Sequence, residues 1–188
     1  MDSAKPLRAD ARRNRDAIVA AARRVLETGD SDLRFDDFAP LAGVGTGTLY
    51  RHFPNREALM VAVYQEDVAT LCDRARALQE TLPGAEALGI FLRDFVEFIE
   101  SRLALTRTLA ALISTRADEF AQGSHALEQA VTQLVAAGVE DGTVRNDVSA
   151  GAVMVALHGV GAARDRPDWR AEADGVITLL IDGLRAPL

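Results

Sequence analysis

The sequence predicts an all-α fold of about nine helices, three of them ahead of Pro54 and the rest forming a larger helical body after it. Three observations carry that expectation. Apolar residues recur at i, i+3, i+4 and i+7 along most of the chain. Gly, Pro and short polar turns separate the periodic segments. No segment convincingly shows the period-two alternation of a half-buried strand.

The first helix is expected over about Ala9–Thr28. Ile18, Ala21, Ala22, Val25 and Leu26 form its apolar stripe, arginines occupy its other faces, and Gly29 stops it. Two brief helices follow, about Phe35–Ala42 and Thr46–His52, with Gly43 between them. Pro54 breaks the chain, and Asn55 can cap a long helix of about Arg56–Leu78 with Glu57 in its first turn. Met60, Tyr64, Val68, Leu71, Ala75 and Leu78 share one face of it.

Pro83-Gly84 closes that section. A helix of about Ala85–Ser101 carries Leu88, Phe91, Leu92, Phe95, Phe98 and Ile99. A shorter one near Ala104–Thr115 carries Leu105, Leu109, Leu112 and Ile113. Gly123-Ser124 is expected to precede a helix of about His125–Glu140, and residues 140–147 (EDGTVRND) to form a turn. The last two helices are about Ser149–Ala163 and Asp168–Leu184. The first of these is apolar nearly all round and rich in small residues, so it needs cover on both sides. In so short a chain a second copy is the expected cover.

With 48% hydrophobic and 26% charged residues among 188, the chain is an ordinary globular protein of one large domain or two small ones. Only 5% is aromatic, so Ala, Leu and Val must fill most of the core. The net charge of −7 argues against an anionic partner until its distribution is considered. Residues 1–24 carry Lys5, Arg8, Arg12, Arg13, Arg15, Arg23 and Arg24 against Asp2, Asp10 and Asp16, whereas residues 57–188 are strongly acidic. One end can approach phosphate while the rest is repelled, which would orient the molecule on DNA. Cys72 is the only cysteine, so no intrachain disulfide forms. There is no apolar leader, and the longest nearly apolar run, Ala150–Ala163, is shorter than the roughly 20 residues a membrane helix needs. The expected location is cytoplasmic, with no membrane partner.

The stretch with most chemical content is FDDFAPLAGVGTGTLYRHFPNREAL, residues 35–59. Two short helices flank the tight turn Ala42-Gly43-Val44-Gly45, the layout of a helix-turn-helix. Phe38, Ala39, Ala42 and Val44 are spaced to pack the pair, and Leu49 and Phe53 to anchor the second helix from beneath. Thr46, Thr48, Tyr50, Arg51 and His52 remain as polar groups on a helix short enough for the major groove. Hydroxyls and backbone N–H groups bind phosphate oxygens. Arg reads guanine or neutralises phosphate. Gly47, lacking a side chain, lets the backbone come close to DNA.

Phe38-Ala39, Ala42-Gly43-Val44, Gly47-Thr48-Leu49-Tyr50, His52-Phe53-Pro54 and Glu57-Ala58-Leu59 together resemble the TetR family of bacterial regulators, densely and collinearly over about 25 residues. The order of helices fits that family as well. The resemblance implies a DNA-binding head over residues 1–54 and a ligand-binding and dimerisation body over 55–188. It implies a homodimer through the last two helices (about 149–184) and a small-molecule effector that releases a palindromic operator, which is the action of a repressor. Carried over residue by residue, Thr46, Thr48, Tyr50 and His52 touch DNA. Arg56 stands where the family often has a phosphate-contacting Lys, and Arg51 falls at a variable position suited to base readout.

Three departures stand out. Arg34 replaces a frequent capping Thr. Pro40 lies inside the second helix, where it costs about 3 kcal/mol if that helix is regular, unless the helix starts late. Gly45 replaces a frequent Ser.

For the body, the Phe91 and Phe95 stripe with Leu71, Leu109 and His158 is the candidate ligand pocket, against the alternative of plain core packing. Arg107 and Trp169 are further candidate anchors. His52, His125 and His158 are far apart, and no HExxH, CxxC, GxSxG, P-loop or GxGxxG occurs, so neither a metal, a cofactor nor a catalytic residue is expected. The competing function is a helical homodimer with weak or lost DNA binding that acts through ligand or protein contacts.

Overall fold

The computed structural model describes residues 4–28, 33–101 and 117–186. Among them it shows eight α-helices, one 3-10 turn, and a single isolated antiparallel bridge, Val144 to Arg185, as the only β pairing. The helices are α1 (Ala4–Thr28), α2 (Phe38–Leu41), α3 (Thr46–His52), α4 (Arg56–Thr81), α5 (Gly84–Ser101), α6 (Ala117–Glu140), α7 (Ala150–Ala162) and α8 (Trp169–Leu184). The described residues fall into two compact units divided between Glu66 and Asp67, within α4. The predicted helix near Ala104–Thr115 lies outside the described residues.

In the first unit α1, α2 and α3 pack on one another. The predicted stripe of α1, from Ile18 to Leu26, is buried, and Val19 joins it. Phe38, Ala39, Leu49 and Phe53 are also buried, as their spacing required, while Ala42 and Val44 at the turn are half-buried. Burial of these side chains, at about 25 cal/mol per Å² of apolar surface, holds α2 and α3, both too short to persist alone, against α1.

The N-terminus of the second helix is built differently from the regular cap. Phe35–Asp37 is a 3-10 turn, and α2 begins only at Phe38. Pro40 therefore sits in the first helical turn, where its missing N–H has no partner to lose, and the helix-breaking cost does not arise. Arg34 has no acceptor to offer as a cap. Instead its own backbone N–H donates to Asp37 Oδ2 at 2.8 Å.

Along α4, Met60, Val68, Leu71, Ala75 and Leu78 are buried as predicted, whereas Tyr64 of the same stripe is half-buried, and Asn55 Oδ1 caps the helix by accepting from Ala58 N at 2.9 Å. In the second unit α5 packs against α7 and α8. α6 begins well before the expected His125. It runs straight through Gly123-Ser124, because a buried glycine within a packed helix costs only about 1 kcal/mol relative to alanine.

α5 and α6 cross very closely. A Cβ at Gly84 would lie 2.1 Å from Gly138 Cα, so only glycine fits. The turn after α6 then caps α5 from a distance. Asp141 Oδ2 accepts from Gly84 N at 2.7 Å, and Thr143 Oγ1 accepts from Ala85 N at 2.9 Å. Gly142 makes this turn possible with φ +75, a left-handed conformation that side chains disfavour.

Trp169 is a core residue rather than a ligand anchor. It is buried, and its Nε1–H donates to Val160 O at 2.6 Å, fastening α8 to α7.

Candidate nucleic-acid interface

α3 is an amphipathic helix of seven residues. Leu49 faces inward and is fully buried, while Thr46, Gly47, Tyr50 and Arg51 are exposed and Thr48 and His52 half-buried. Gly43 turns the chain between α2 and α3 with φ +69. Val44 N donates to Ala39 O at 3.0 Å, which closes the turn. A Cβ at Gly47 would meet nothing within 4 Å, so this flank of α3 is open to a large partner. The polar residues named from the sequence thus share one short, exposed helix held rigidly from below.

Two of the predicted contacts have partners of their own. The Tyr50 hydroxyl donates to Asp36 Oδ1 at 2.8 Å, and its ring meets Phe35 edge-on at 5.2 Å. The bond to Asp36 pushes the Tyr50 phenol pKa above its ordinary value, with partial desolvation adding to it. The Arg56 guanidinium donates to the Leu33 carbonyl and lies 5.7 Å from the centre of the Phe38 ring. Here it clamps the start of α4 to the segment before α2.

The basic N-terminal helix is likewise partly committed. Arg15 pairs with Glu66 at 2.7 Å and stands over the Phe53 ring, and Arg23 reaches Glu66 at 3.6 Å. Arg13 pairs with Asp10. Arg15 and Arg23 thus tie α1 to α4, and Arg13 is paired within α1, rather than standing as an unengaged arm. Asp36 is the residue near α3 that sequence reasoning did not single out. It belongs to neither the apolar periodicity nor the resembled motif, so only its contact with Tyr50 reveals it.

In the second unit, Leu71 lines an open groove of about 430 Å³ with Asp67, Thr70, Arg74, Asp94, Glu97 and Phe98. Phe91 and Phe95 are buried in the core nearby in sequence but do not line that groove. His158 is exposed on α7, away from its lining. Leu109 lies outside the described residues. Among the described residues, no three His, Cys, Asp or Glu side chains gather as metal ligands, and no helix is long and apolar enough to cross a membrane.

Residues 83–186 match the family profile described as the C-terminal domain of SbtR-like transcriptional regulators, which is more than half of the chain. Residues 18–63 match that of the bacterial regulatory proteins of the tetR family. The chain belongs to the TetR family. The crystal structure of a TetR transcriptional regulator from Streptomyces coelicolor is 38% identical, with a TM-score of 0.75, covering 93% of this chain and 99% of that one. An HTH-type transcriptional regulator of Staphylococcus aureus is 38% identical over 63 residues, 32% of this chain and 33% of its own length. The HTH-type transcriptional activator FasR of Mycolicibacterium smegmatis is 33% identical over 84 residues, 44% of this chain and 38% of its own length. The chain thus covers little more than a third of these two curated relatives. As a TetR-family member the protein is a DNA-binding transcription regulator, and α2–turn–α3 is its helix-turn-helix.

Proposed function

We propose that this regulator is a homodimeric repressor that binds a palindromic operator and is released by a small-molecule effector. The observation that carries the DNA-binding half is α3, whose only fully buried side chain is Leu49 and whose polar side chains reach solvent. Thr46, Thr48, Arg51 and His52 contact the duplex from it, Gly47 allows close approach, Tyr50 reaches the groove edge, and Arg56 supports the phosphate side of the same surface. The division of labour is a head over residues 1–54 and a body over 55–188. The work is cytoplasmic because its partner, duplex DNA, is there.

The dimer is proposed to form through α7 and α8. Each keeps an exposed stripe: Ala152, Val155 and Gly159 on α7, and Gly175, Val176, Leu179 and Gly183 on α8. Val155 is 72% and Leu179 74% exposed, unusual for large aliphatic side chains on otherwise packed helices. Small residues beside them let a second copy of the same helices approach closely. Effector binding is proposed for the body, at the open groove that Leu71 and Phe98 line. FasR is named an activator, and a head of this kind serves activation as well as repression. Repression is preferred here as the family's usual mode.

The test is in vitro selection from random duplex DNA at physiological salt, with the mass of the free protein measured by sedimentation. An inverted repeat bound by a particle of twice the chain mass is expected, because a two-fold protein reads a two-fold site. A folded dimer that enriches no sequence would overturn the reading.

A further inference from the structure

We infer that Tyr50 and Asp36 act together as a reader of exocyclic amino groups in the major groove, of cytosine N4 or adenine N6, rather than as a phosphate contact. This deepens the proposed DNA-binding role of α3 and rests on it.

The argument is one of donors and acceptors. A phenol has a single O–H to donate, and its oxygen can also accept. In this protein the Tyr50 proton is donated to Asp36 Oδ1 at 2.8 Å. What Tyr50 then offers outward is lone pairs. An ionised Asp36 likewise offers only acceptors. Phosphate oxygens are acceptors too, so a phosphate at this point would meet two acceptor groups and a negative charge. It would be bound only after breaking the Tyr50–Asp36 bond. On the base edges of the major groove, the donors are the amino groups of cytosine N4 and adenine N6, whereas guanine shows N7 and O6 and thymine O4 as acceptors. A paired acceptor patch therefore selects C or A at one strand position and disfavours G or T.

The geometry makes the patch a fixed one. Tyr50 has two side-chain torsions, and two contacts restrain them: the Asp36 bond at the hydroxyl and the edge-on packing against Phe35 at 5.2 Å. Tyr50 is still 48% exposed and Asp36 is exposed, so the pair is held and yet presented to a partner. Asp36 touches the DNA site through Tyr50 and is a positioning and specificity residue. The phosphate contacts then fall to the other groups of the helix, among them Arg51.

The experiment is selection from the same random duplex pool with the wild-type chain, Tyr50→Phe and Asp36→Ala, followed by affinity measurement on the wild-type motif. Tyr50→Phe keeps the ring against Phe35 and removes only the oxygen. Asp36→Ala frees the hydroxyl proton. The wild-type motif is expected to hold one position per half-site where C or A is preferred by about fivefold to tenfold, the scale of a single well-placed hydrogen bond. Both variants are expected to lose that preference, to below about twofold, while keeping the remaining positions. If both variants select the unchanged motif and merely bind it more weakly, Tyr50 is a phosphate contact and the inference fails alone. If the wild-type chain selects no motif, the inference fails together with the regulator reading beneath it.

Discussion

Replacing Leu49 by alanine separates the support of α3 from its recognition surface. Leu49 is fully buried between α3 and the helices beneath it. Truncation removes three carbons, worth about 2.4 kcal/mol at roughly 0.8 kcal/mol per buried methylene. The cavity left behind adds to this, and buried Leu→Ala changes span about 2.7–5 kcal/mol. A loss of about 3 kcal/mol is therefore expected. That is roughly a 100-fold rise in the opening of α3, every 1.4 kcal/mol being about tenfold. The assay is urea denaturation followed by circular dichroism, with amide exchange across Thr46–His52 as the local probe. Arg51→Ala on the same helix is the control. Its side chain is exposed, so stability should change by no more than about 0.5 kcal/mol while operator affinity falls by tenfold or more. If Leu49→Ala leaves exchange across α3 unchanged, or Arg51→Ala unfolds the head, the assignment of inner and outer faces is wrong.

Three further outcomes follow from the geometry. Gly84→Ala drives a Cβ into the Gly138 backbone at 2.1 Å, so α5 or α6 must shift, and a loss of about 3 kcal/mol or more is expected by thermal denaturation, where Gly151→Ala, whose Cβ would meet only Ser149 Oγ at 3.7 Å, should cost little. Bonds from Thr143, chiefly its hydroxyl, and from Gly84 N hold the Asp141 carboxyl below its ordinary pKa. A carboxyl depressed in the folded state stabilises above its unfolded pKa of about 3.9, and that contribution is lost as pH falls through the lower folded value. Asp141→Asn should therefore be less stable than wild type at neutral pH, with the gap closing below about pH 4 in an acid titration of the melting temperature. Leu179→Glu puts a charge on a side chain that is 74% exposed in the single chain, so the monomer should fold normally and sedimentation should show dissociation. A dimer of unchanged affinity would move the interface away from α8.

The elements legible in the sequence are those whose causes are local. α3 begins and ends where expected because Gly45 precedes it and Pro54 follows closely, and both act on the backbone within a residue or two. The buried stripe of α1, and that of α4 save for the half-buried Tyr64, match their periodicity because a helix face is a property of spacing alone. The errors arise where a distant partner overrides local preference. α6 passes through Gly123-Ser124 because packing outweighs propensity. Trp169 is spent on the Val160 carbonyl. Phe91 and Phe95 could equally have been pocket or core, since both environments ask for the same apolar residues.

By itself the sequence determined the helical class, the helix-turn-helix and the family. Each of these depends on residues within one or two turns of each other. Only the tertiary structure decided what the polar groups do, because a hydrogen bond depends on where two side chains meet in space. It paired Tyr50 with Asp36 fourteen residues away, committed Arg15 and Arg23 to Glu66, and capped α5 with Asp141 and Thr143 from a turn more than fifty residues downstream. No spacing rule specifies such meetings; the packed chain does.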